Sequence, residues 1–203
     1  MILALDTSTA ACTAALFEAD GTLIDSRDEV IGRGHAERLV PMIADLLGSR
    51  RATEVLVGSG PGSFTGLRVG IAAAHGLAIG WGAQLTGMSS LALLAMRAPG
   101  SGPVAAALSG GHGELFVQEF TREPLCPAGP LMNLPPSAAA TQVRAPLVVG
   151  SGAPALVAAR GCGEALDMLP SAADAMGLPP ALRSLRPAPV YARAPDAKPK
   201  AAA

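Results

Sequence analysis

The first third of the chain alternates short apolar runs with small polar turns, and this pattern predicts strands before helices. Residues 1–7 and 11–18 read as apolar strands joined by a Ser/Thr turn, and Asp20-Gly21 supplies a hairpin turn into a third strand over 22–30. The period then lengthens. After Gly34, apolar residues at Leu39, Val40, Ile43, Leu46 and Leu47 recur at helical spacing and stop at Gly48. A strand over 54–57, a glycine-dense turn, a helix over 66–80, a short strand over 84–87 and a helix over 89–96 follow. A meander succeeded by alternating helix and strand predicts a mixed sheet with helices packed on it.

Pro99-Gly100-Ser101-Gly102-Pro103 breaks this pattern, which then restarts. Ala4-Leu5-Asp6 opens the first half and Ala107-Leu108-Ser109 the second, each followed by a small-residue turn and another strand (14–18 and 114–120). Leu56-Val57-Gly58-Ser59-Gly60-Pro61 is echoed by Val148-Val149-Gly150-Ser151-Gly152-Ala153-Pro154. Two matched landmarks in the same order predict an internal duplication: an N-terminal lobe over 1–99 and a smaller, degenerate lobe over 103–191, facing each other across a cleft. The Ala/Pro/Lys composition over 192–203 reads as a disordered tail.

Composition narrows the classes. Half of the 203 residues are hydrophobic, enough for a substantial core. A net charge of −1 argues against a broad nucleic-acid-binding face, which needs clustered Lys and Arg. Cys12, Cys126 and Cys162 lack metal or disulfide spacing and read as buried small hydrophobes. The N-terminus meets an acid at Asp6 with no basic run before it, and the most apolar stretch, 69–83, is shorter than the ~20 residues of a membrane span. A soluble cytoplasmic protein is expected.

The candidate chemistry centres on residues 58–70, Gly-Ser-Gly-Pro-Gly-Ser-Phe-Thr-Gly-Leu-Arg-Val-Gly. No Lys follows the glycines, which excludes a P-loop, and no Asp or Glu lies between Glu54 and Glu114 to hold a ribose. Two readings stay open: an anion site around Gly60, Gly62 and Ser63, or glycines that let the following helix pack closely. Asp6, Thr7 and Ser8 place a carboxylate and hydroxyls at the end of a buried strand, either to hold a phosphate or hydrated Mg²⁺ or to bond their own turn. A two-lobed phosphotransferase needs a second acid at the matching turn, and Ser109-Gly110-Gly111-His112 has none. That weighs against ATP hydrolysis by this chain alone. His35 has Leu39 rather than a second His four residues on, and His75 and His112 are isolated, so no metal site is expected. The helix over 66–80 is rich in small apolar residues with few polar ones, which suits packing against a partner.

Four segments carry a family resemblance: Ile2-Leu3-Ala4-Leu5-Asp6-Thr7-Ser8; His35-Ala36-Glu37-Arg38-Leu39-Val40-Pro41-Met42-Ile43; Gly60-Pro61-Gly62-Ser63-Phe64-Thr65-Gly66-Leu67-Arg68-Val69-Gly70; and Pro189-Val190-Tyr191-Ala192-Arg193. Together they resemble the TsaB (YeaZ) family, a bacterial partner subunit in the synthesis of N6-threonylcarbamoyladenosine at position 37 of tRNAs reading ANN codons. The resemblance implies an α/β, actin-like ASKHA (RNase H-like) fold of two duplicated lobes. It also implies a scaffold subunit with no catalytic or metal-binding residues and no cofactor of its own. ATP and metal would sit on partners, a TsaD-type catalytic subunit and a TsaE-type ATPase, with tRNA met only through the complex and a homodimer formed when the chain is alone. Family interfaces use the first two helices, which places His35, Leu39, Ile43, Leu67, Arg68, Ile71 and Ala74 at the contact. Asp6, Thr7, Ser8, Gly60, Gly62 and Ser63 would be a vestigial nucleotide cleft. The chain departs from the family at Ser109-Gly110-Gly111-His112, where an Asp-Ala-Arg type sequence is usual. The rival from another class is an enzyme acting alone, an actin-like ATPase or kinase or an M22-type metallopeptidase.

Overall fold

A computed structural model describes residues 1–192, so the expected tail, apart from Ala192, lies outside the described residues. β1 (Ile2–Asp6) and β2 (Ala11–Phe17) are buried at every position, as strands covered on both faces must be. β3 (Leu23–Val30) pairs with β2 as the edge and carries the charged residues Asp25, Arg27, Asp28 and Glu29, which discourage edge pairing with other chains. After α1 (His35–Leu47), β4 (Glu54–Gly58) pairs parallel to β1. α2 (Phe64–Trp81) then crosses over to β5 (Gln84–Met88), giving the order β3-β2-β1-β4-β5. α2 begins two residues before the expected start because Ser63 caps it, its Oγ accepting from the Gly66 N–H at 3.2 Å.

α3 (Ser90–Arg97) and a bend over 98–103 lead into the second sheet. There β6 (Val104–Ser109), β7 (Leu115–Arg122), β8 (Leu125–Pro127) and β9 (Met132–Leu134) run antiparallel. α4 (Pro136–Gln142), β10 (Leu147–Val149), α5 (Ala153–Arg160) and β11 (Glu164–Leu166) add the parallel half. The order β8-β7-β6-β10-β11 repeats that of the first sheet with the same strand directions, so the duplication is a fact of topology.

Strand alternation sorts the core into layers. Leu3 and Leu5 of β1 pack under α1 and α2, while Ile2 and Ala4 face the opposite way, toward α3. Val104, Ala106 and Leu108 of β6 meet α3 from the other side, and Ala105 and Ala107 face α4 and α5. α3 is therefore enclosed between the two sheets, buried from Ser90 to Ala95. Burial of each of Leu91, Leu93 and Leu94 contributes roughly 1.5–3 kcal/mol to joining the lobes.

The sequence assigned everything to residue 191 to the second lobe, and the structure corrects this. A 3-10 turn (Ala172–Gly177), α6 (Pro180–Arg183) and the segment 185–191 return to the first lobe. Ser171 Oγ donates to Asp28 Oδ2 (2.7 Å), the Ala172 N–H to Thr13 Oγ1 (2.9 Å), and Leu185 exchanges backbone bonds with Gly87 at 2.7 and 2.9 Å. These bonds join residues far apart in sequence, so no local pattern announces them. The cysteines also differ from expectation: Cys12 is buried, whereas Cys126 and Cys162 are exposed on the second lobe. Among the described residues no helix is long and apolar enough to cross a membrane.

Candidate functional site

The glycine turn meets the end of β1 face to face. A Cβ on Gly58 would overlap the Asp6 carboxylate, one on Gly62 the Ser8 carbonyl, one on Gly66 the Thr7 carbonyl and one on Gly70 the Thr7 hydroxyl. Two bonds hold the contact, from the Ser63 N–H to Ser8 O (2.7 Å) and from Thr7 Oγ1 to Gly66 O (2.7 Å). Of the two readings left open, close packing is the one observed: glycine at every fourth position lets the helix start lie directly on the strand end.

Asp6 is sealed beneath this contact rather than presented to a cleft. Its Oδ1 accepts from the Ser8 N–H (2.7 Å) and Ser8 Oγ (2.6 Å), and its Oδ2 accepts from Ser90 Oγ (2.6 Å). Burial pushes the carboxyl above its ordinary 3.8, while the Ser8 and Ser90 hydrogen bonds and the charge on His35 pull the other way. Asp6 thus joins β1, its turn and the start of α3.

Beside the contact, between the lobes, lies a cavity of about 970 Å³. Of the expected cleft residues, Ser8, Gly62 and Ser63 line it; Asp6, Thr7 and Gly60 do not, because they are spent on packing. The opposite wall is Leu108 to His112 with Phe116 and Ser151, and Arg68 and Tyr191 stand at one side. No Asp or Glu is among the described lining residues, and no group of three or more His, Cys, Asp or Glu suited to a metal ion occurs among the described residues.

The expected interface residues need a correction. His35, Leu39, Ile43, Leu67, Ile71 and Ala74 are all buried in the first lobe's own core, and of the seven only Arg68 is exposed. His35 is held inward by its Nε2 donating to the Ala11 carbonyl at 3.2 Å. The physical reason is that apolar residues at helical spacing mark the face turned to the sheet. The outward stripe of α2 is the complementary set: Phe64 (57% exposed), Arg68, Ala72, His75, Gly76 and Ile79 (81% exposed). That stripe stays apolar for most of its length, unlike the outward face of α1 with Glu37 and Asp45. Its signal lies in the sequence as the positions 64, 68, 72 and 76, four apart and two residues from the inward Gly66 and Gly70, which puts them on the opposite side of the helix. Arg68 lies over the Phe64 ring at 3.4 Å from its centroid and 5.9 Å from that of Tyr191.

Residues 26–124 match the family model described as TsaD, tRNA N6-adenosine threonylcarbamoyltransferase. The tRNA threonylcarbamoyladenosine biosynthesis protein TsaB of Escherichia coli is 38% identical over 130 residues, which is 60% of this chain and 55% of that protein. The match thus spans about half the length of that curated relative. An uncharacterized protein of Mycobacterium tuberculosis is 34% identical across 98% of this chain and 95% of its own. The solved structure of YeaZ from Pseudomonas aeruginosa superposes with a TM-score of 0.79 at 33% identity, covering 94% of this chain and 99% of that one.

Proposed function

Because the chain belongs to the TsaB/YeaZ family and has its two-lobed, actin-like fold, we propose that it is a non-catalytic scaffold subunit. It binds a TsaD-type catalytic subunit and supports N6-threonylcarbamoylation of adenosine 37 in tRNAs that read ANN codons. The observation that carries this reading is the outward stripe of α2, an exposed helix face with Phe64, Ala72, Gly76 and Ile79 and little charge. A helix whose exposed face is mostly apolar is matched to burial in a larger assembly, and small residues allow a partner backbone to approach closely. ATP and metal belong to the partners, a TsaE-type ATPase joins the larger complex, and tRNA is met through that complex. The same face pairs two copies when the catalytic partner is missing.

The rival enzymatic reading needs acids or metal ligands facing the cleft. The sealed position of Asp6 and the acid-free cavity lining favour the scaffold over it.

Mixing the purified chain with a TsaD-type subunit is expected to give a heterodimer on size exclusion. Ile79→Glu and Gly76→Arg place a charge in that contact, and an unpaired buried charge at an interface costs about 2–5 kcal/mol, so either should weaken pairing roughly thirtyfold or more. Gly76 has open space around it, so the Arg leaves the fold intact. Pairing that survives both substitutions overturns this surface. Ile71→Glu and Ala74→Arg point inward and test the core instead.

A further inference from the structure

The inter-lobe cavity has a chemical character beyond that of the partner face, with which it shares Phe64 and Arg68 at the start of α2. Arg68 lines it, and among the described residues its guanidinium has no carboxylate partner; its contacts are the faces of Phe64 and Tyr191. Stacking fixes the plane of a guanidinium while leaving its N–H edges unspent, which is how an Arg is made ready for a carboxylate or phosphate. Tyr191 is itself held in place: its ring centroid lies 5.9 Å from that of Phe64, and the preceding Val190 N–H donates to Ser59 O at 2.8 Å.

The remaining walls define the rest of the ligand. Ser8, Ser63 and Ser151, their hydroxyls engaged by Asp6 and by the Gly66 and Ser109 N–H groups, share the lining with the apolar side chains Leu108, Phe116 and Leu169. A volume of about 970 Å³ matches the cavities that take ligands of metabolite or drug size. A cation finds no acid there, and a metal-chelated phosphate chain finds no carboxylate to hold its metal. We propose that this cavity binds a small organic anion whose carboxylate or phosphate is joined to a flat ring, the anion on Arg68 and the ring among Phe116, Leu108 and Tyr191.

The site belongs to the isolated full chain, so it is tested without any partner subunit. Titration calorimetry with benzoate and with phenyl phosphate distinguishes the two anions, and inorganic phosphate serves as the anion without a ring. At least one ring-bearing anion is expected to saturate and to bind roughly tenfold or more tightly than inorganic phosphate. Arg68→Ala is expected to weaken that binding roughly tenfold or more, since it removes charge-assisted hydrogen bonds, and Tyr191→Ala to weaken it by a smaller factor. Both residues are exposed, so circular dichroism should report folded variants. Ile79→Glu, on the part of α2 away from the cavity, should leave the affinity unchanged, which separates this site from subunit pairing. The proposal is overturned if neither ring-bearing anion saturates, if inorganic phosphate binds as tightly, or if folded Arg68→Ala binds like the parent.

Discussion

At the end of β1, Asp6 is fully enclosed and accepts three hydrogen bonds; at the equivalent end of β6, Ser109 is exposed and donates two bonds to Ser151, from its N–H to Ser151 Oγ (3.2 Å) and from its Oγ to Ser151 O (3.1 Å). Both strand ends are covered by a glycine turn. In the second lobe a Cβ on Gly150 would overlap the Ala107 carbonyl, and the Gly152 N–H donates to that same carbonyl at 3.0 Å. The turns also launch different helices, α2 of 18 residues with an exposed apolar face and α5 of 8 residues. What the lobes share is the packing of a turn on a strand end. What distinguishes them is the buried acid and the outward helix face, and those are where a specialised role has to be sought.

The comparison is broken most forcefully by filling the close contacts. Gly66→Ala drives a methyl into the Thr7 carbonyl, and Gly150→Ala drives one into the Ala107 carbonyl at a φ of 113° that L side chains resist. Backbone on both sides prevents easy relaxation, so each should cost about 3 kcal/mol or more, read as a lower urea midpoint at unchanged slope. A loss at Gly150 below about 1 kcal/mol would show that only the first lobe depends on this contact.

Next in size is the acid. Asp6→Ala strips the acceptor from the Ser8 N–H, the Ser8 hydroxyl and the Ser90 hydroxyl, all buried. Unsatisfied buried donors cost about 1–3 kcal/mol, and relief of the buried charge offsets part of that, leaving a loss of about 2 kcal/mol. Ser109→Ala, at the matched but exposed position, should stay within about 0.5 kcal/mol in the same denaturation assay. Equal losses would mean that the two strand ends are loaded alike.

The parts of this arrangement that the sequence displays are those with local causes. β1 and β2 are near-continuous apolar runs, α1 has regular apolar spacing, and Gly62, Gly66 and Gly70 repeat every fourth residue, Gly62 in the turn and the other two on one face of α2. Which way α2 faces is harder to read, because only Thr65, Arg68 and His75 mark its solvent side, and the glycines marking the inner face read equally as an anion loop. The strands β8, β9, β10 and β11, three residues each, are too short to show a period. The cavity wall is assembled from the turn after β1, β6, β7, α2 and the returning segment with Tyr191, so only the duplication hinted that these pieces meet.

The smallest expected effect separates the charge of Asp6 from its shape. Asp6→Asn keeps the outline, its oxygen still accepts from Ser8, and its amide donates to Ser90 Oγ, so the fold should persist. Because burial raises the folded-state value of Asp6 above 3.8, the native chain holds its proton at a pH where the unfolded chain has released it. The contribution of Asp6 to stability is then fully present below about 3.8 and is lost as pH rises through the folded value. Carboxylates shifted the opposite way, Asp20, Asp25 and Glu29, act alike in both proteins and cancel in the difference. The stability of the parent relative to Asp6→Asn should therefore fall from acid to neutral pH, measured by urea midpoints across that range. A difference that rises with pH would mean that hydrogen bonds to the carboxylate outweigh its burial, and that the sealed acid of the first lobe is held as a charge.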